Sequence, residues 1–445
     1  MKKNILVLGA GLVAKPLVKY LLDHGYNVAV ATRTIQKALN LIDRHPHALA
    51  LSLNINHKHI LDNFVAKADL VISLLPNTLH VPVARVCLKF KKHLITTSYV
   101  SKQMNCLDQR AKAAKVIFLN EIGLDPGIDH MSAMAIIHDV QANGGKIISF
   151  ESMCGGLPAP EFNNNPLGYK FSWGPRGVVL ASKNNALYLK DGKKITVVGK
   201  HLFEHHWQIK IPPLGEFEVY PNRDSLSYID KYGLAGIKTM FRGTLRNIGW
   251  CETWKSLGEL GLLNDKAKYN FTRLTYREFL TNLIQSKGQY LAQDLASYLE
   301  IDSNSEIIKR LKWLGLLSAQ KPKLNKGTAL DLLVDLLFEK MQYQPGEQDM
   351  VVLHHKFRIK YGRQIQERFS TLIAFGQPNG YSAMSGMVGL PAAIAARLIL
   401  EGKIKLTGVQ IPVHQQIYEP VLKELGEFGM KFIDKRKKVQ HEHHN

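Results

Sequence analysis

The run Ile5-Leu6-Val7-Leu8-Gly9-Ala10-Gly11-Leu12-Val13-Ala14 decides the fold. Four consecutive apolar residues read as a strand buried on both faces. The glycines then turn the chain into a helix. The pattern Gly9-x-Gly11-x-x-Ala14 aims backbone N–H groups at the N-terminus of that helix, where a pyrophosphate binds. Glycine pairs also make ordinary βα turns, but here strand and helix flank them correctly. Lys2 and Lys3 before an apolar stretch superficially copy a secretory signal. The glycine pair inside the stretch and the missing small-residue cleavage site favour the βα reading.

The end of the second strand selects the dinucleotide. An NAD site places Asp or Glu there to hold the ribose 2′-OH. This chain has Ala31-Thr32-Arg33-Thr34. Arg33 is suited to a 2′-phosphate, with Thr32 or Thr34 as a hydroxyl donor, so NADP is expected. The plain alternative is that Arg33 is an ordinary surface residue.

Further apolar runs at 28–31, 70–75, 94–97 and 116–119 alternate with helical stretches. This is the rhythm of a doubly wound parallel sheet. From about residue 147 the texture turns rich in Gly, Pro, Trp and Tyr, with strand-like runs at 195–198 and 216–220. The aromatic stretch 154–177 reads as a long functional loop. Residues 255–342 read as all-helical. Leu330, Leu333, Val334 and Leu337 form a core stripe, with Thr328 and Asp331 as a cap. Strands return at 350–354 and 368–374, and a helix is expected from Pro391 to just before Gly402. A strand-like run at 405–411 and a helix at about 415–428 follow. The charged, His-rich tail 435–445 reads as a flexible, solvated end.

The 445 residues exceed one ordinary core, and 45% hydrophobic with 21% charged residues is a globular composition. No run of about 18 apolar residues stands out, so no membrane span is expected. Cys87, Cys106, Cys154 and Cys251 show no CxxC pairing, which argues against a disulfide scaffold or a metal cluster and fits the cytoplasm. The net charge of +21 would suit nucleic acid, but the basic residues are spread out without interleaved aromatics. A positive cleft would equally serve an anionic cofactor and a dicarboxylic substrate.

Three stretches are more specific: Asn120-Glu121-Ile122-Gly123-Leu124-Asp125-Pro126-Gly127-Ile128-Asp129-His130; Cys154-Gly155-Gly156-Leu157-Pro158-Ala159-Pro160-Glu161, continuing to Trp173; and Tyr220-Pro221-Asn222-Arg223-Asp224-Ser225 with Arg242-Gly243-Thr244-Leu245-Arg246. They closely resemble the saccharopine reductase family, and the resemblance spans nearly the whole chain. It implies a variant Rossmann α/β domain (1–130 with 390–434), a mixed α/β substrate and dimerisation domain (131–254 with 343–389) and a small all-helical domain (255–342). It also implies a homodimer that links L-glutamate and 2-aminoadipate 6-semialdehyde through an imine, reduced by NADPH to saccharopine.

The resemblance places Gly9, Gly11, Leu12, Val13, Thr32, Arg33, Asn54, Leu75, Ser98, Leu124, Pro126 and Gly174 at the cofactor. It places Ser98, Tyr99, Asp125, Arg223, Thr244, Leu245 and Arg246 at the substrate. Three carboxylates on saccharopine call for cations, and Arg223 and Arg246 offer bidentate clamps; an ordinary ion pair is the other reading of Arg246. Imine chemistry needs proton transfer, for which Asp125, Cys154 and Tyr99 are the candidates. Taken alone, Cys154 would read as a small buried thiol. Asp129 and His130 read as structural, aligning the turn into the next helix.

Two departures stand out. Gly174-Pro175 replaces two serines familiar before the Arg, and Asn54 stands where an Asp is familiar. A sister reductase of another imine, such as carboxynorspermidine dehydrogenase, would share the first half but lack the Cys-Gly-Gly-Leu-Pro stretch. A non-catalytic NADP- or nucleic-acid-binding protein is the rival from another class.

Overall fold

A computed structural model describes residues 2–439. The chain separates into two units, Met1–Ile147 with Ile359–Gln366 and Ser370–Asn445, and Ile148–Arg358 with Glu367–Phe369.

The first unit holds strands β1 (Asn4–Leu8), β2 (Asn27–Thr32), β3 (Ala48–Ser52), β4 (Leu70–Ser73), β5 (His93–Thr96) and β6 (Ile117–Leu119). Gly408–Gln410 adds an edge strand, giving the order Gly408–Gln410, β6, β5, β4, β1, β2, β3. All these pairings are parallel. The order reverses between β1 and β4, and ligands bind at the carboxyl ends of strands at such a switch point. Val7, Leu8, Val71 and Ile72 are fully buried. Burying each such side chain stabilises by about 1.5–3 kcal/mol, which is why these strands read as unbroken apolar runs.

β3 escaped the sequence reading. Its Ala-Leu-Ala-Leu-Ser has no buried residue and no continuous β-branched run, because it is a sheet edge. Pro391 does not open a helix; it lies inside Ala383–Leu400, which Ser382 caps by accepting the Ser385 N–H. The cap and the burial of nearly every residue of this helix outweigh the preference of proline for a first turn. Gly402 does follow the helix end, with φ 71°. The same helix also corrects the expectation about apolar runs. Its 18 residues have a mean hydropathy of 1.6, enough by length and composition to cross a membrane, but 83% of them are buried inside the fold. It packs against α1 (Ala14–Asp23) as a core helix. Residues 435–439, expected in a flexible tail, belong to the strand Phe432–Val439 with mostly exposed side chains, where Asp434 accepts the Ser370 hydroxyl at 2.5 Å. Residues 440–445 lie outside the described residues.

The second unit is built on a mixed sheet. Its strands run Trp207–Ile211, Gly215–Pro221, Thr239–Arg246, Lys146–Pro158, Asp349–Tyr361, with the hairpin Ala186–Lys190 and Lys193–Val197 attached to Thr239–Arg246. The Cys-Gly-Gly-Leu-Pro stretch therefore sits on a strand; the irregular loop begins only after Pro158. That strand runs parallel to Thr239–Arg246, with Cys154 paired to Thr244. Phe150 packs against Phe357 in the core, ring centroids 4.7 Å apart and the planes tilted by 30°. The helices include Trp250–Glu259, Glu306–Leu314 and Ala329–Lys340. Thr328 and Asp331 form the expected capping box, and Leu330, Leu333 and Leu337 are buried. The helical segment also contains a short antiparallel pair, Lys268–Asn270 with Lys326–Thr328, which the leucine spacing does not reveal.

Candidate active site

The dinucleotide loop leaves β1 at Gly9, whose φ of 107° is a conformation glycine adopts without strain. Its N–H donates to the Ala31 carbonyl at 2.9 Å, tying the loop to the end of β2. Val13 precedes α1 without a side-chain capping bond, so side chains do not satisfy the first-turn N–H groups. Gly11 and Leu12 are exposed there, Leu12 by 61%, and Val13 is half-buried. Thr32 ends β2, and Arg33 follows, exposed. Asn54 lies just past β3 and its Oδ1 accepts the Asn56 N–H at 3.1 Å. Leu75, half-buried, lies just past β4. These residues share the carboxyl edge of one sheet. A helix start without a side-chain cap and an exposed guanidinium at the end of β2 fit a pyrophosphate and a 2′-phosphate.

The same edge carries titratable groups. The Tyr99 hydroxyl donates to Asp125 Oδ1 at 3.0 Å. Beside this pair, the buried His80 links Ser73 Oγ and Ser98 Oγ, each 2.9 Å from a ring nitrogen. Burial pushes the His80 imidazole down to about 4, so it is neutral at ordinary pH. A neutral imidazole has one donor and one acceptor, so one serine hydroxyl gives and the other receives. Leu124 and Pro126 are buried on either side of the half-buried Asp125.

In the second unit, Cys154 is 6% exposed. Thr244 is half-buried and Leu245 fully buried. The buried Arg246 lies over the rings of Tyr169 at 4.8 Å and Trp250 at 5.1 Å. Its Nη1 donates to the Leu245 carbonyl at 2.8 Å. Arg246 Nε and Trp250 Nε1 are buried without a hydrogen-bond partner among the described residues. A buried donor left so costs about 1–3 kcal/mol, which an anionic acceptor would relieve. Burial pushes the Tyr169 phenol up, and the Arg246 charge pulls against it. Arg223 is exposed and has φ 55°, left-handed for a side-chain-bearing residue. Its carbonyl accepts the Leu187 N–H at 2.8 Å. Gly174 is exposed before the short helix Pro175–Ala181.

The structure thus joins Tyr99 to Asp125 and pairs Cys154 with Thr244, while Arg223 and Gly174 stand on exposed turns. His80, Tyr169 and Trp250 were missed as site residues. His80 lies 18 residues from Ser98 and Tyr169 far upstream of Arg246, so nothing local marks them; Trp250, one helical turn past Arg246, is the one that local spacing offered. Asp129 and His130 align the turn into the next helix, as read: the Gly127 N–H donates to Asp129 Oδ1 at 2.6 Å.

Comparisons with known proteins give the family. The family described as "Saccharopine dehydrogenase NADP binding domain" matches residues 5–119, and "Saccharopine dehydrogenase C-terminal domain" matches residues 123–430. The chain is 42% identical to a saccharopine dehydrogenase [NADP(+), L-glutamate-forming] of Pyricularia oryzae, over 97% of this chain and 99% of the relative. It is 40% identical to the Schizosaccharomyces pombe protein of the same name, over 96% and 98%. The solved apo structure of a histidine-tagged saccharopine dehydrogenase (L-Glu forming) from Saccharomyces cerevisiae matches with a TM-score of 0.88 and 40% identity, covering 98% of this chain and 100% of that one.

Proposed function

The chain belongs to the saccharopine dehydrogenase family, and on that premise we infer that it is an NADP-dependent, L-glutamate-forming saccharopine dehydrogenase. It interconverts saccharopine, NADP+ and water with L-glutamate, 2-aminoadipate 6-semialdehyde and NADPH, through an imine of the substrate. The observation that carries the reading is the Tyr99–Asp125 hydrogen bond at the same sheet edge as the dinucleotide loop.

When bound, NADP+ supplies the hydride acceptor. Gly9, Gly11, Leu12 and Val13 hold its pyrophosphate side, and Thr32 with Arg33 its 2′-phosphate. Asn54, Leu75, Ser98, Leu124 and Pro126 would complete its contacts. Asp125 takes the proton from the substrate amine, and Tyr99 orients that carboxylate. Ser98, Arg223 and the run Thr244, Leu245, Arg246 bind the substrate, the arginines taking carboxylates. Cys154 exchanges the proton of the carbinolamine formed when water adds to the imine.

The first test follows NADPH formation at 340 nm with L-saccharopine and NADP+, with NAD+ as the control. Arg33→Asp should lower kcat/KM for NADP+ by roughly ten- to a hundredfold, the worth of a charge-assisted hydrogen bond. Wild-type turnover that Arg33→Asp leaves intact would sink the assignment of the second strand. No loss in Cys154→Ala would remove the thiol from the chemistry.

The enzyme works as a homodimer in the cytoplasm. The outer face of the second unit's sheet supports the dimer. A hollow of about 590 Å³ there is lined by Trp207 and Phe241 and mixes Glu151, Asp191 and Glu367 with Lys190, Lys356 and Arg358. Mixed charge of this kind is self-complementary across a two-fold axis. Light scattering should give twice the chain mass, and Lys356→Glu should lower it; a wild-type monomer would end the idea. The thiols of Cys87, Cys154 and Cys251, all buried and outside any disulfide, support a reducing compartment. Recovery of the activity in a membrane-enclosed organelle fraction would contradict it.

A further inference from the structure

Tyr99 and Asp125 sit on two separate loops, one after β5 and one after β6, and neither is regular. Something must set the distance between the loops for the phenol to reach the carboxylate. The sequence between Asn120 and His130 contains three ionisable residues that the proposed chemistry does not use: Glu121, Asp129 and His130. All three are at most 1% exposed. Buried ionisable groups are costly unless each finds partners.

Their partners run from one loop to the other through hydrogen bonds and one ion-pair-range contact. Glu121 has φ 57°, a left-handed conformation unusual for a side-chain-bearing residue. Its N–H donates to the Ser98 carbonyl at 3.1 Å. Its Oε1 accepts the N–H of Val100 at 2.9 Å, one residue past Tyr99. Its Oε2 accepts from His130 Nε2 at 2.9 Å. His130 Nδ1 lies 3.6 Å from Asp129 Oδ2. Asp129 Oδ1 accepts the N–H of Gly127, two residues past Asp125. Gly127 admits no side chain: φ is 149°, and a Cβ there would lie 2.0 Å from the Gly123 carbonyl oxygen.

We propose that Glu121, His130 and Asp129 are positioning residues for the Tyr99–Asp125 pair, clamping the two loops at the separation the hydrogen bond requires. The proposal rests on the reading of Tyr99 and Asp125 as site residues given above. Stabilising a turn would need only Asp129 and its bond to Gly127. The Glu121 arm reaches a different loop, 21 residues away in sequence, and ends on the backbone next to Tyr99. The clamp touches neither the dinucleotide loop nor Arg33.

The test is a double-mutant cycle on the whole enzyme, with kcat, both KM values and thermal melting read for every variant. His130→Leu cuts both links; His130→Gln keeps a donor near the Nε2 position. Glu121→Gln keeps an acceptor for Val100 but turns an amide toward His130, and it serves if His130→Leu does not fold. We expect His130→Leu to lower kcat at least tenfold with a smaller rise in the KM for NADP+, because Ser98, Leu124 and Pro126 lie on the clamped loops but Gly9 to Val13 and Arg33 do not, and His130→Gln to restore part of the loss. In an Asp125→Asn background the further loss should shrink below twofold, because the geometry it protects is already useless. Full loss in both backgrounds, or no loss in the wild-type background, would overturn the clamp. If Asp125→Asn alone leaves kcat unchanged, the underlying site reading fails first, and the two failures are told apart by that single variant.

Discussion

The sheet edge around Tyr99 and Asp125 differs from the aromatic nest around Arg246 in how complete each is. At the first, polar groups meet one another: Tyr99 donates to Asp125, His80 joins two serines, and Glu121 and Asp129 each hold a backbone N–H. At the second, Arg246 lies over two rings and is buried, yet its Nε and the neighbouring Trp250 Nε1 meet no acceptor among the described residues. The first region is preorganised for chemistry, where geometry has to be right before the reaction starts. The second keeps an unmet demand for negative charge, which is the basis for proposing that it receives a substrate carboxylate.

This contrast predicts different kinetic signatures. Removing the base from the complete region should act mainly on turnover: Asp125→Asn should lower kcat by roughly 10²- to 10⁴-fold with modest change in the KM for saccharopine. A large KM effect with kcat retained would reverse the assignment.

The next effect is on stability. His80 has its pKa lowered to about 4 by burial, against an ordinary value near 6.5. In that interval the unfolded chain binds more protons than the native one, so stability is full above about pH 6.5 and is lost as the pH falls toward 4. The loss attributable to His80 is about 3 kcal/mol at most. Denaturant melts of wild type and His80→Gln across this range should differ in slope, the variant being flatter. Parallel curves would mean that His80 does not carry the acid sensitivity.

The smallest effect belongs to the open region. Arg246→Lys keeps the charge but loses the planar fork and the stack on Tyr169 and Trp250. It should lower kcat/KM for saccharopine about tenfold to a hundredfold, through KM, with NADP+ kinetics unchanged. A glutamate analogue should raise the melting temperature of wild type more than that of this variant. Equal shifts would show that the nest does not read carboxylates.

The parts of this molecule that could be read from sequence are those whose chemistry is local. The glycine turn after β1, the Thr328–Asp331 capping box and the Arg33 that replaces an acid each involve residues a few positions apart. The parts that were hidden depend on contacts made only after folding. His80 meets Ser98 across 18 residues, and Glu121 meets Val100 across 21. No spacing rule connects them. Pro391 misled because a positional preference of one residue was weighed without the burial of the whole helix. The second stretch of the family motif was taken for a loop because its glycines and prolines carry loop composition, whereas its alternating faces are buried in a sheet.

The edge strand Gly408–Gln410 closes the first sheet against β6. During translation β6 emerges long before its partner. At about 5–20 residues per second, the interval is on the order of tens of seconds. Throughout it, the backbone of β6 offers an open edge to any other chain nearby. The nascent enzyme therefore passes through a window in which its cofactor sheet is one strand short and its edge can pair with another chain.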